Sequence, residues 1–275
     1  MPMTALRPAV LAGALALAGA LGAPAADAHR FWLLPSMTVL SGEGGWITVD
    51  AARSNDMFHF NHNAMQLDGL QVTAPGGAAA EAVNRHTGEL RSVFDVALEA
   101  QGTYRIAVVD DAVFARYEAG GRHHRWQGTA AEFADEVPGE AEDLRVSERI
   151  NRAEIFVTAG APTRDTLEPV GRGLELIPET HPNDLYAGET ARFRMLVDGE
   201  PAAGIEIEVI PGGVRYRDTP ETMTVTTGDD GAFEVTWPEP GMYYLETGLQ
   251  DEKVSTEVAP SRRLTYVATL EVLPM

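Results

Sequence analysis

The residues whose types and spacing could do chemistry here are histidines. Six of them, His29, His59, His62, His86, His123 and His124, fall in the first half of the chain, and only His181 comes later. His29 follows Ala26-Asp27-Ala28, the small-x-small pattern that precedes a signal-cleavage site. Cleavage after Ala28 makes His29 the first residue, with a free α-amine beside its imidazole. The amine titrates near pH ~8 and the imidazole near ~6.5, so both nitrogens can serve one metal ion at neutral pH. An amine and an imidazole suit Ni, Co, Cu or Zn better than Mg or Ca.

A terminal histidine cannot close a coordination sphere alone. A further ligand is expected from Asp56-Met57-Phe58-His59-Phe60-Asn61-His62. Phe58 and Phe60 alternate as the core residues of a strand do, which turns His59 outward and leaves His62 near a turn. On a straight strand His59 and His62 face opposite ways and cannot share one ion. His62 is then the better candidate, because a turn can aim a side chain that a strand would fix. The plainer reading makes both histidines ordinary polar loop residues. His123 and His124 stand between Arg122 and Arg125, which repel a cation, and read as a solvated hairpin tip. His86, before Thr87-Gly88, reads as a turn residue, and His181, before Pro182, as the approach to a strand pair.

Much other chemistry is excluded. The chain has 275 residues, no Cys, and 41 acidic against 21 basic side chains, a net charge of −20. Without Cys there is no disulfide, thiolate-bound zinc, iron–sulfur cluster or thiol nucleophile. The charge argues against nucleic acid and anionic lipid and favours the approach of cations. Lys253, the only lysine, sits in an acidic loop beside Asp251 and Glu252. No zinc-protease helix, nucleophile elbow or phosphate-binding glycine loop is present, so no enzyme is expected. The acidic run from Asp135 to Asp143 reads as a solvated loop.

The elements that must position these residues are strands. Arg7 and the apolar residues 8–21 form a signal segment too short to span a bilayer comfortably. Beyond it, period-2 stretches recur between turn signals, as in Arg105-Ile106-Ala107-Val108-Val109 and Ile205-Glu206-Ile207-Glu208-Val209. Short helices are expected only near 129–136 and 148–153. Phe94, Val96, Gly102, Tyr104 and Ile106 recur as Phe233, Val235, Gly241, Tyr243 and Leu245, each offset by 139 positions. Gly-x-Tyr-x-aliphatic at the head of a strand fits an immunoglobulin-like sandwich. The expectation is all-β: a signal peptide over 1–28, then two tandem immunoglobulin-like β-sandwich domains over 29–168 and 169–275, meeting where residues 162–173 lose periodicity.

Ala28-His29-Arg30-Phe31-Trp32-Leu33-Leu34-Pro35, Leu174-Glu175-Leu176-Ile177-Pro178, Asn183-Asp184-Leu185-Tyr186-Ala187-Gly188-Glu189 and the Asp198-Gly199-x-Pro201-x-x-Gly204 turn carry a resemblance. The mature chain resembles periplasmic proteins with a domain of unknown function, labelled NikM-like nickel-uptake components. Its second half also resembles carboxypeptidase-regulatory-like sandwiches. The resemblance implies a periplasmic location, β domains and an association with transition-metal uptake, and it carries over only His29 with its Trp32 and Pro35 surroundings. The leading expectation is a periplasmic binding protein holding Ni, Co or Cu through His29 and His62 or His59. Its partner would be an inner- or outer-membrane transport component. No nucleic acid and no membrane insertion after cleavage are expected. A metal-free structural or partner-binding module of a transport complex and a copper-brace oxidative enzyme are the alternatives.

Overall fold

The computed structural model describes residues 30–42 and 44–275, so the expected signal segment, Ala28 and His29 lie outside the described residues. Strand makes up 55% of the chain and helix 5%, which settles the all-β class. The first half forms β1 (Arg30–Pro35), β2 (Val39–Leu40), β3 (Gly45–Ser54), β4 (Asn63–Ala64), β5 (Leu70–Thr73), β6 (Ala82–Thr87) and β7 (Ser92–Leu98). The long strands β8 (Gly102–Ala119) and β10 (Glu142–Ala159) follow, with β9 (Arg122–Gly128) and helix α1 (Ala130–Glu136) between them. The second half forms β11 (Leu174–Pro178), β12 (Thr190–Val197), β13 (Glu200–Pro201), β14 (Glu206–Pro211), β15 (Met223–Thr226), β16 (Ala232–Thr236), β17 (Gly241–Asp251) and β18 (Arg262–Val272).

The helix expected near 129–136 forms because Thr129 caps it and Glu132 bonds back to the Thr129 amide. The one expected over 148–153 does not. Those residues lie in β10, where Glu148 and Arg152 are buried among partners remote in sequence. His86 is on β6 rather than in the turn beside it.

Three sheets make the sandwiches. One contains β1, β3, β4, β6 and β7; another contains β11, β12, β13 and β16. Between them runs a nine-stranded sheet with β15-β14-β17-β18-β10-β8-β5 in order, joined by β2 and β9. Its halves meet where β10 and β18 pair in parallel, Glu148 with Arg262 through Glu154 with Ala268. Ala153, Ile155 and Val157 of β10 enter the first core together with Val267 of β18. Leu264, Tyr266 and Ala268 enter the second core together with Ile150. Registered partners share a face and neighbours along a strand alternate, so the two cores lie on opposite faces of this sheet.

The 139-residue repeat is a repeated corner. Phe94 and Val96 of β7 and Phe233 and Val235 of β16 are core residues. Gly102 (φ 131°) and Gly241 (φ 145°) open the next strands in a conformation that side chains disfavour. The Tyr104 hydroxyl accepts from the Ala100 amide (2.8 Å) and donates to the Ala100 carbonyl. The Tyr243 hydroxyl does the same with Glu239, donating at 2.7 Å. Both are tyrosine corners of immunoglobulin-like sandwiches. Two residues on, where antibody domains carry a disulfide cysteine, stand Ile106 and Leu245, both fully buried. Each corner is worth about one net hydrogen bond. Tyr104→Phe and Tyr243→Phe should each cost about 1 kcal/mol, and the double variant should show their sum in denaturant unfolding.

Candidate functional site

The described chain begins beside the loop that carries two of the candidate ligands. β1 and β3 are antiparallel, and Arg30 is the partner of Ser54. Ser54 ends β3, and residues 55–62 then loop back to β4. The Ser54 hydroxyl accepts from Trp32 Nε1 (2.9 Å) and donates to the Asp56 carbonyl (2.6 Å), which also accepts from the His59 amide. Asn61 closes the loop, its Oδ1 accepting from the Asn55 amide and its Nδ2 donating to Asp56 Oδ2 (3.0 Å).

Phe58 and Phe60 are not strand residues. Phe58 has φ 62°, and the two rings grip the buried Trp32 indole at centroid distances of 5.6 and 5.2 Å. Arg91 lies over the Phe60 ring, 4.6 Å from its centroid. The apolar alternation comes from clamping one tryptophan and not from a pleat, so the face argument that separated His59 from His62 does not apply.

His59 Nε2 accepts from Arg215 Nη1, so its lone pair already faces a cation. His62 is exposed at the end of the loop, just before β4. His123 and His124 lie on the exposed hairpin strand β9, after the positive-φ pair Gly120-Gly121. His181 is structural. Its Nε2 lies 3.0 Å from Thr103 Oγ1 and 3.1 Å from the Thr163 carbonyl, while Nδ1 accepts from the Asn183 amide. Burial pushes the His181 pKa down, so the neutral ring donates from Nε2 and ties the crossover between the cores to β8.

Sequence reasoning missed the second half's share of this region. Arg30 reaches Glu208 of β14 (2.6 Å) and Glu246 of β17 (3.1 Å), which are direct cross-strand partners. Its guanidinium also lies 5.8 Å from the ring centroid of Tyr244. Burial raises the pKa of Glu246, Arg30 opposes this, and Glu208 adds to it. Burial likewise drives the Tyr244 hydroxyl well above the usual range. The one available signal was the apolar–acidic alternation of β14, which puts Glu208 on the face opposite Ile207 and Val209. Phe58 packs at Gly212, where an added methyl would sit 3.2 Å from its ring. Among the described residues no group of three or more His, Asp or Glu side chains is gathered to hold a metal ion.

The family described as a domain of unknown function, DUF4198, matches residues 26–251. The chain belongs to the DUF4198 family. The DUF4198 match takes in Arg30, the 55–62 loop, Glu208 and Glu246, and ends before β18. No curated protein matches this DUF4198 chain. Among solved structures it is similar to a DUF4785 family protein from Legionella pneumophila, with 9% identity, 78% of this chain and 50% of that one covered, and a TM-score of 0.22. The chain thus spans about half the length of that protein. It is also similar to the D0-D1 domain of intimin, with 10% identity, 87% and 97% covered, and a TM-score of 0.21. A marsupial T cell receptor matches with 10% identity, 89% and 73% covered, and a TM-score of 0.21.

Proposed function

We propose that this DUF4198 protein is an exported, periplasmic binding protein that holds one first-row transition-metal ion, Ni, Co or Cu. In this reading the amine and imidazole of a mature His29 provide two nitrogens, and His62 provides a third. It performs no catalysis and hands its metal to a membrane transport component, in keeping with the resemblance to NikM-like nickel-uptake proteins.

The observation that carries the reading is the Arg30–Ser54 register. It sets the residue next to His29 beside the last residue before the loop with His59 and His62. Two further features support it. Arg30 would repel a cation at the terminus, but Glu208 and Glu246 neutralise its guanidinium. The net charge of −20 raises the local concentration of cations. For His59 to serve as the further ligand, Arg215 would have to leave its Nε2 first.

Calorimetric titration of the processed protein with Ni or Cu tests this. His29→Ala and His62→Ala should each weaken binding by about tenfold or more, ~1.4 kcal/mol. His123→Ala should leave it unchanged. One extra residue before His29 turns the chelating amine into an amide and should weaken binding as much as His29→Ala. Unchanged affinity in both the extended and the His29→Ala proteins would remove the terminal site and leave a metal-free partner-binding module.

A further inference from the structure

The nine-stranded sheet extends past the first core, and the face left bare there carries arginines. Arg125 of β9 is the cross-strand partner of Arg116 of β8, and Arg116 is the partner of Arg145 of β10. Four residues along β10, Arg149 is the partner of Arg263 of β18. Registered partners share a face, as do residues four apart on one strand, so all five guanidinium groups project from one side. Like charges directly across strands are destabilising. The acidic side chains outnumber the basic ones about two to one, yet none of these five side chains has a hydrogen bond or salt bridge to another described residue.

The neighbouring residue makes the contrast plain. Arg262 points to the opposite face and is held by Asp198 and Asp251 at 2.6 Å each. Arg149 instead lies half-buried on the Phe114 ring, 4.3 Å from its centroid, with its Nε buried and without a hydrogen-bond partner. Burial and the charges of Arg263 and Arg116 all work against its protonated form. Asp110 works the other way, but it is engaged by Gln127 (3.0 Å) and Asn151. Between the arginines runs a groove of about 800 Å³, with Phe114, Ser147 and Gln250 in its lining. That volume is in the range of small-molecule sites.

We infer that this groove binds a small multivalent oxyanion, a molecule with two or more carboxylate or phosphate groups. Guanidinium forks pair bidentately with both groups. The two arginine rows are four residues apart on β10, or roughly 13 Å along the strand, so a ligand with several anionic groups can pair with both rows at once where a monoanion pairs with fewer guanidinium groups. The acidic protein repels anions at long range. Attraction is confined to about one Debye length, ~8 Å at physiological salt, so binding should weaken as salt rises. The inference does not rest on the metal reading.

The test is calorimetry and thermal melting of the mature protein at low salt with citrate, tripolyphosphate and acetate. Citrate or tripolyphosphate should bind at least about tenfold more tightly than acetate and raise the melting temperature. Which of the two binds better separates a carboxylate from a phosphate ligand. Arg116 and Arg263 are exposed, so the Arg116→Gln/Arg263→Gln double variant should fold. Freed of repulsion, it should melt no lower than the parent without ligand, and it should lose about tenfold or more in affinity. Arg192→Gln, which breaks a pair with Glu234 on β16, should bind as the parent does. Equal binding of acetate and the polyanions, or undiminished binding by the double variant, would overturn the proposal. So would binding of a long heparin chain without either small anion, which would make the face a macromolecular surface.

Discussion

Glu154→Ala is expected to lower the stability of the protein by about 3–5 kcal/mol, the range for stripping one partner from a buried ion pair. Glu154 is 2% exposed on β10. Its Oε1 lies 3.3 Å from Arg105 Nε and 3.6 Å from Arg152 Nη1, and its Oε2 accepts from the Tyr266 hydroxyl at 2.7 Å. Arg105 and Arg152 are nearly as buried, and the Nε of each already has no well-formed hydrogen bond. Removing the carboxylate would leave two guanidinium groups without a counter-charge and a phenol without an acceptor. Glu154→Gln keeps the acceptor but not the charge, so it should fall between the parent and the alanine variant. Urea unfolding checks this through the midpoint at unchanged slope. A loss below about 1 kcal/mol would mean that water reaches the cluster and that it behaves like a surface pair.

Trp32→Ala is expected to be comparably severe, about 3–5 kcal/mol for a fully buried aromatic side chain. It also deletes what the Phe58 and Phe60 rings grip and the donor to Ser54. The 55–62 loop is organised by those contacts. In the same variant, Ni or Cu binding should therefore weaken even though no ligand has been touched. Trp32→Phe keeps a ring in the clamp and should show a smaller loss on both counts. Trp46 is 56% exposed on β3, so Trp46→Ala should change neither quantity. Full metal affinity in a folded Trp32→Ala protein would separate the loop from metal binding.

What could be read from the sequence was what is local in it. Strand alternation is set by neighbouring residues, and the two tyrosine corners kept a Gly-x-Tyr-x-aliphatic spacing that needs no partner to be recognised. The Phe58 and Phe60 spacing is equally local, but a strand face and a clamp around Trp32 require the same two residues. Only the tertiary partner decides between them. Residues 148–153, expected as a short helix, are part of strand β10. In the folded chain Glu148 is buried and held by Ser255 and Arg172, neither of which its own segment announces. The arginine face was invisible for the same reason. Arg116, Arg125, Arg145, Arg149 and Arg263 are scattered in sequence, and register alone makes them neighbours. The Arg30–Glu208–Glu246 cluster joins the first described residue to two strands of the second core.

The parallel junction of β10 with β18 also sets an order of events. Along residues 148–154 the outer edge of β10 finds its partner only in the last strand of the chain. Until β18 arrives, that stretch presents unpaired amides and carbonyls, the kind of template on which chains associate wrongly. Pairs between residues so distant in sequence close late and slowly. The waiting edge is not a bland one, because it carries the buried Glu148, Arg152 and Glu154. Such charges favour a strand that can answer them, and β18 answers Glu154 with the Tyr266 hydroxyl. The same buried charges that weaken this protein when mutated thus act beforehand as a lock on register, admitting one last strand in one alignment.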